Sequence, residues 1–308
     1  MENLLGIALK ILAALLFTMM TALIKSLDGA FPTGQVVFFR SFFAIMPLLI
    51  MVLFREGIVA GLSTRNVIGH FKRGAIGCLA MFCGFTSLVF LPLPDATAIG
   101  YAAPLIAVAL SAVLLKEEVR IYRWSAVAIG FAGVIVMLWP HLAADDIERG
   151  SGSGFGAMLA LAGATCSAFA IIQIRQLTKT EPTSAIVFYF STFCTIIGLA
   201  TLPLGWIMPH GAQLAALIGA GLLGGVAQIC MTQAYRFASA AVVAPFDYTT
   251  MIWAVLLGYF LFGDLPSRYV IAGGAIVVLA GLFVIWREHR LGLERGKGRR
   301  ARTPNVAP

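Results

Sequence analysis

Four ionisable side chains lie inside hydrophobic stretches of this sequence, where a charge is costly. Lys10 and Arg40 are basic, whereas Asp95 and Asp247 are acidic. An ionisable group at membrane depth usually pairs with another polar group or marks the path of a solute. At about 1.5 Å per helical residue, Lys10 and Asp247 lie at similar depths from one membrane surface, while Arg40 and Asp95 lie towards the other. The sequence therefore predicts two ion pairs, Lys10–Asp247 and Arg40–Asp95, that bind substrate or act as gates.

Each of these residues also has a simpler interpretation. The long side chains of Lys10 and Arg40 can extend along a helix so that their charges reach the membrane surface. Asp95 stands at the start of a predicted helix, where a carboxylate commonly caps free backbone N–H groups. The Asp247 side chain is too short to reach the surface, so the ion-pair prediction depends most on this residue.

Uncharged polar residues extend the pattern along faces of the predicted helices. Thr18 and Thr21 share a face of the first helix with Lys10, because they are spaced three or four residues apart along it through Ala14. Helix packing, and hydroxyl groups that bond to their own helix, are the alternatives. The predicted substrate-binding or gating residues are Lys10, Thr18, Thr21, Arg40, Asp95, Tyr101, Gln173, Gln228, Asp247 and Tyr248.

Two prolines interrupt predicted helices next to these residues. Pro104 follows Tyr101, and Pro245 precedes Tyr248. A proline inside a membrane helix frees a backbone carbonyl, which is tolerated where neighbouring groups or a water-filled cavity satisfy it. The fourth and ninth helices are therefore expected to bend beside a cavity.

The hydrophobic stretches define the class of protein. Hydrophobic residues make up 60% of the 308 residues and charged residues 12%, against about 45–50% and 25% in an average soluble chain. Since a span needs about 20 apolar residues, the sequence predicts an all-α membrane protein with ten transmembrane helices. The predicted spans are 4–25, 35–54, 73–91, 95–115, 121–139, 155–175, 184–205, 211–235, 240–262 and 269–286.

The basic residues predict the orientation of these spans. Of the 22 Lys and Arg residues, 17 lie in the tail and in alternate connections, and three lie in the other connections. Because positively charged loops remain in the cytoplasm, both termini are expected to be cytoplasmic. The tail after Trp286 is rich in arginine, and we expect it to contact anionic lipids of the bilayer rather than nucleic acid. The stretch 4–25 is long enough to be a span, so no signal peptide is expected.

The second half of the sequence repeats the first. At an offset of 150 residues Ser41 aligns with Ser191, and at an offset of 147 Gly77 aligns with Gly224 and Tyr101 with Tyr248. Five spans are an odd number, so the second copy is predicted to be inverted in the membrane. We expect repeats at 4–140 and 155–286, followed by a basic cytoplasmic tail at 287–308.

Inverted repeats are a common architecture of secondary transporters, which bind substrate near the middle of the membrane where the halves meet. A duplication that serves no transport, and a channel, are the alternatives. A membrane enzyme is not expected, because the four histidines form no catalytic motif. No cofactor or metal site is predicted, since the cysteines lack a CxxC spacing and no GxxxxGK[ST] loop occurs.

Two short acidic motifs carry a resemblance to a known family. LKEE at 115–118 and FGD at 262–264 each end a helix before a glycine-containing fifth helix. Together with the two five-helix repeats, they resemble the EamA family of the drug/metabolite transporter superfamily over residues 4–286. The stretches 34–43 and 93–104 are similar to a bacterial subgroup that includes riboflavin carriers. The resemblance implies transport of a small organic metabolite across the inner membrane by alternating access, through a cavity lined by spans 1, 3, 4, 6, 8 and 9.

Riboflavin uptake is the first substrate prediction, with export of amino acids or drug-like compounds as the alternative. The phenylalanines at 38, 39, 42, 43, 82 and 85 would offer faces for stacking on a planar ring. Glycines at 130, 133, 273, 274 and 281 predict close helix contacts, either between the fifth and tenth helices or across a homodimer.

Overall fold

The computed structural model describes residues 2–55, 57, 61–114, 121–142, 152–238 and 240–301, and within these ranges the chain is helical with no β-strand. The predicted LKEE motif at 115–118 and the end of the tail lie outside them. The α-helices are α1 (Glu2–Lys25), α2 (Thr33–Arg55), α3 (Val67–Phe90), α4 (Leu93–Gly100), α5 (Ala102–Leu114), α6 (Ile121–Leu142), α7 (Ser153–Leu177), α8 (Thr183–Ala200), α9 (Gly211–Phe237), α10 (Ala240–Val243), α11 (Thr249–Leu257) and α12 (Arg268–Ala301).

Seven helical segments of the described chain are long and apolar enough to cross a membrane. Three shorter apolar segments, Trp124–Pro140, Phe246–Phe262 and Arg268–Phe283, coincide with the predicted fifth, ninth and tenth spans. Large apolar side chains such as Phe54 remain exposed on the outer surface of the bundle, as expected where lipid surrounds it. The chain is a multi-pass membrane protein.

The third helix begins earlier than the sequence predicts. The predicted span starts at Arg73, whereas α3 starts at Val67 because the side chain of Asn66 caps it by accepting a hydrogen bond from Gly69 N–H. His70 and Arg73 therefore lie within the helix, and both are buried. The polar character of this segment made it resemble a connection.

The predicted fourth span (95–115) and the predicted ninth span (240–262) are interrupted, as their prolines predict. The fourth changes at Tyr101, between α4 and α5. The ninth is divided into α10, a 3₁₀ segment at Ala244–Tyr248, α11 and a π-helical turn at Gly258–Phe262. Tyr101 and Tyr248, which the repeat aligns, thus both stand at a change of helix geometry.

The helices of the two halves pack against each other in reciprocal pairs. The most extensive contacts join α1 to α9, α3 to α7 and α6 to α12, and α2 packs on both α8 and α9. The first helix of each half therefore contacts the third helix of the other. Glycine lets α6 and α12 approach closely: a Cβ added to Gly133 would lie only 2.7 Å from the Gly273 carbonyl oxygen. These two glycines are used within the chain, so they do not support the predicted homodimer.

Candidate functional site

A cavity of about 250 Å³ lies between helices of both halves. Its described walls come from α1, α4, α5, α7, α9 and the interrupted predicted ninth span at 240–262. The predicted third span contributes no residue to them, contrary to expectation. The lining residues are Lys10, Phe17, Thr18, Thr21, Thr97, Gly100, Tyr101, Ala103, Pro104, Ile171, Met231, Tyr235, Asp247 and Thr250.

The structure brings Lys10 and Asp247 into contact on this wall. Lys10 Nζ lies 2.6 Å from Asp247 Oδ1, so the two residues form an ion pair between α1 and the 3₁₀ segment of the second half. The Lys10 side chain is 5% exposed and that of Asp247 is 28% exposed. Asp247 therefore remains open to the cavity, while the ammonium group of Lys10 is enclosed by protein.

Tyr235 completes the surroundings of Lys10. Lys10 Nζ donates a hydrogen bond of 3.3 Å to Tyr235 Oη and lies 4.7 Å from the centre of its ring. Tyr235 also lines a second hollow of about 230 Å³ at the ends of α7 and α9. Arg175, Lys179 and Arg236 give that hollow a basic wall. Of these three residues Tyr235 borders both spaces, whereas Lys10 and Asp247 line the cavity.

The predicted polar face of α1 lies along the cavity. Thr18 and Thr21 both line it, although each hydroxyl donates a 2.8 Å hydrogen bond to a carbonyl of its own helix, at Ala14 and Phe17. Because each hydroxyl is the donor in this bond, the two lone pairs of its oxygen remain available to accept further hydrogen bonds. At the far end of the same face, Lys25 Nζ donates to two carbonyls at the end of α3.

The two repeat-related tyrosines meet beside the cavity. The rings of Tyr101 and Tyr248 lie edge to face, with centres 5.3 Å apart. The Tyr101 hydroxyl lies 2.8 Å from Thr250 Oγ1 and donates to the Tyr248 carbonyl at 3.2 Å. A side chain of the predicted fourth span therefore bonds to the backbone of the interrupted ninth span.

The second predicted ion pair is not formed in this conformation. Arg40 and Asp95 are both buried, but the ion pairs found among the described residues join Lys10 to Asp247 and His70 to Glu181, not these two. The guanidinium group of Arg40 instead lies 5.7 Å from the centre of the Phe190 ring on α8. Gln173 and Gln228 do not line the cavity; Gln228 is buried, and its Nε2 has no hydrogen-bond partner in the described chain.

The aromatic wall of the cavity differs from the predicted one. Phe38, Phe39, Phe42 and Phe43 stack among themselves and do not line the cavity. Phe17 and the two tyrosines at 101 and 235 supply its aromatic surface instead. Neither Phe17 nor Thr250 was predicted. Phe17 lies four residues before Thr21, and Thr250 lies three residues after Asp247, so helical spacing from these two predicted residues could have indicated both.

A carboxylate outside the spans is also buried. Glu181 Oε2 lies 3.4 Å from His70 Nε2, and Glu181 Oε1 accepts a hydrogen bond from Arg65 N–H. Burial acts to raise the pKa of Glu181, but the hydrogen bonds from Thr64, Arg65 and His70 outweigh it and hold this pKa below its ordinary value. The Glu181 carboxylate therefore ties the connection before α8 to the start of α3.

Comparison with known proteins relates this architecture to transporters. The model of the EamA-like transporter family matches residues 4–139 and again residues 154–287. A solved crystal structure shares the fold, with a TM-score of 0.68 over 93% of this chain and 98% of its own at 20% identity.

Curated relatives include three transporters with different substrates. The pseudopaline exporter CntI of Pseudomonas aeruginosa is 31% identical over 276 residues, which cover 89% of this chain and 94% of its own. The riboflavin transporter of Rhizobium johnstonii is 30% identical over 284 residues, covering 91% and 90%. The S-adenosylmethionine uptake transporter of Rickettsia prowazekii is 28% identical over 270 residues, covering 86% and 87%.

Proposed function

Since this chain belongs to the EamA-like transporter family, we propose that it carries a small organic metabolite across the bacterial inner membrane by alternating access. The observation that carries the proposal is the Lys10–Asp247 ion pair, which joins the two halves on the wall of a cavity. Substrate enters the cavity from one side, and the halves then rearrange to expose it to the other.

The Lys10–Asp247 pair acts as the gate in this proposal. Tyr235, which accepts a hydrogen bond from Lys10, borders both the cavity and the basic hollow at the ends of α7 and α9. Breaking the pair lets α1 separate from the 3₁₀ segment and joins the two spaces. A buried ammonium group needs a new partner when this happens, and a polar or anionic group of the substrate provides it.

The proposed topology follows from the repeat and the basic residues. The chain crosses the membrane ten times as two inverted repeats, at 4–140 and 155–286, with both termini and the tail 287–308 in the cytoplasm. The reciprocal packing of α1 on α9 and of α3 on α7 supports a two-fold relation between the halves. The test is a C-terminal fusion to a reporter enzyme that works only in the periplasm. Activity of this fusion would contradict the proposed topology.

Riboflavin uptake is the first substrate to test. The aromatic surface of Phe17, Tyr101 and Tyr235 suits a planar ring, and the threonine hydroxyls on the wall suit a polyol. The relative from Rhizobium johnstonii supports this choice through its name. A cavity of about 250 Å³ is slightly below the range of about 300–1,000 Å³ for drug-sized ligands, so this substrate requires the gate to widen.

Export of an amino acid or a related metabolite is the second candidate. The adjacent ammonium and carboxylate groups of Lys10 and Asp247 offer one partner for each charge of a zwitterion. The relative named as a pseudopaline exporter supports export as a direction. Riboflavin, which has no permanent charge, offers an ionic partner to neither group.

Growth of a bacterial riboflavin auxotroph on limiting vitamin distinguishes these candidates. We expect rescue by the parent chain and by Asp28→Asn, which removes an exposed carboxylate that does not line the cavity. We expect Asp247→Asn to lose most of the rescue at equal membrane abundance. No rescue by the parent rejects riboflavin uptake; a lower cellular content of a particular amino acid on expression then favours export. Flux in proteoliposomes that does not saturate with substrate would reject the carrier itself.

A further inference from the structure

Two arginines are buried together outside the cavity. Arg40 on α2 and Arg73 on α3 are 3% and 4% exposed. Their guanidinium carbons lie 5.7 Å and 3.8 Å from the centre of the same ring, Phe190 on α8. The two groups repel each other electrostatically. Three helices from both halves therefore converge on a site that holds two positive charges.

No carboxylate of the described chain forms an ion pair with either arginine, and Nε and Nη1 of both lack hydrogen-bond partners there. Cation–π contact with Phe190 offsets only part of the cost of burying these charges. The neighbouring side chains Val37, Cys78 and Cys194 form an apolar cluster around the ring. In such surroundings an unpaired charge is strongly destabilising.

Two glycines make the space for these groups. A Cβ on Gly77 would overlap Arg73 Nη1, and a Cβ on Gly224 would lie 3.0 Å from Arg40 Nε. Gly77 and Gly224 are the pair that the repeat aligns, so both halves leave the same position open for a guanidinium group. Gln228 lies one turn beyond Gly224 on the same face of α9, and its buried Nε2 is a further donor without a partner in the described chain.

We propose that Arg40, Arg73 and Gln228 form a binding site for a small monovalent anion, a halide or a carboxylate, within the membrane-embedded bundle. All the unpartnered nitrogen atoms named here are donors, and the two guanidinium groups supply the charge that an anion complements. The anion is distinct from the transported substrate, because none of these residues lines the cavity. Its binding joins α2, α3 and α9 and stabilises the packing between the halves.

Thermal unfolding of the purified full chain in detergent tests this site without knowledge of the substrate. Chloride is varied from about 1 mM to about 300 mM at constant ionic strength with gluconate, a larger anion. The midpoint of the parent should rise by about 3 °C for each tenfold increase in chloride above the Kd. Parallel series with bromide and acetate distinguish a halide from a carboxylate.

The variant Arg73→Met should lose this response and be at least as stable as the parent in gluconate, because it removes one of two repelling charges. Lys72→Met is the matched control: it removes an exposed cation from the next position of α3 and should keep the response. A midpoint of the parent that is independent of all three anions, or a full response in Arg73→Met, would overturn the proposal. If the variant does not fold, anomalous scattering from bromide in crystals of the parent decides: a peak between the guanidinium groups supports the site, and its absence rejects it.

Discussion

Replacing either member of the Lys10–Asp247 ion pair alone should destabilise the protein, but by different amounts. Asp247→Asn leaves the Lys10 ammonium, whose side chain is 5% exposed, without its carboxylate. Leaving one charge of a buried pair uncompensated costs about 3–5 kcal/mol of the free energy of unfolding. Lys10→Met leaves a carboxylate that is 28% exposed to the cavity, where water can hydrate it. We expect this variant to lose only about 1–3 kcal/mol, close to the value of a charged hydrogen bond.

The double variant Lys10→Met with Asp247→Asn should recover most of the loss, because no isolated charge remains. We expect its free energy of unfolding to lie within about 1 kcal/mol of the parent, which gives a coupling energy of about 5 kcal/mol from the middle of these ranges. Denaturation by SDS in mixed micelles measures all four members of the cycle, with Lys72→Met and Asp28→Asn as controls for surface charges. Equal losses in the two single variants, or a double variant as unstable as their sum, would refute the reasoning from burial.

Three further substitutions test other contacts. Tyr101→Phe should lower the free energy of unfolding by about 1 kcal/mol in the same SDS denaturation, because its hydroxyl contacts the interrupted ninth helix; an unchanged value would contradict that role. Gly273→Ala should lower the thermal midpoint, since the added Cβ overlaps the facing helix, whereas Gly274→Ala, with open space around it, should not. The folded-state pKa of Glu181 is lowered, so the stability that its carboxylate contributes is present at neutral pH and is lost as the pH falls below about 4.5. In Glu181→Gln the thermal midpoint should therefore depend less on pH in this range. An unchanged dependence would exclude the Glu181 carboxylate as its source.

Much of the helical architecture was predictable because the constraint is simple. A membrane helix satisfies its backbone internally and must be apolar over a fixed length, so the spans can be read from hydrophobic runs. The interruptions near Pro104 and Pro245 followed from the same rule. The start of α3 did not, because a capping asparagine outweighed the charges at 70–73 that resemble a loop.

The candidate site was predictable where depth determines contact. Lys10 and Asp247 enter the membrane at comparable depths on helices that meet, and they form an ion pair. Depth alone gives no information about which helices are neighbours, and for that reason the prediction failed to place Arg40 beside Arg73. The helix order around the bundle depends on packing between the halves, which no local pattern of residues encodes.

The packing of helices of one half on helices of the other has a consequence for biosynthesis. The first and third helices of the N-terminal half, α1 and α3, find their main contacts on α9 and α7, which the ribosome makes later. Until Phe237 has been inserted, α1 must remain in lipid with the Lys10 ammonium lacking its eventual neighbours. A translational pause or a truncation near residue 150 would therefore expose a charged helix to the quality-control proteases of the membrane.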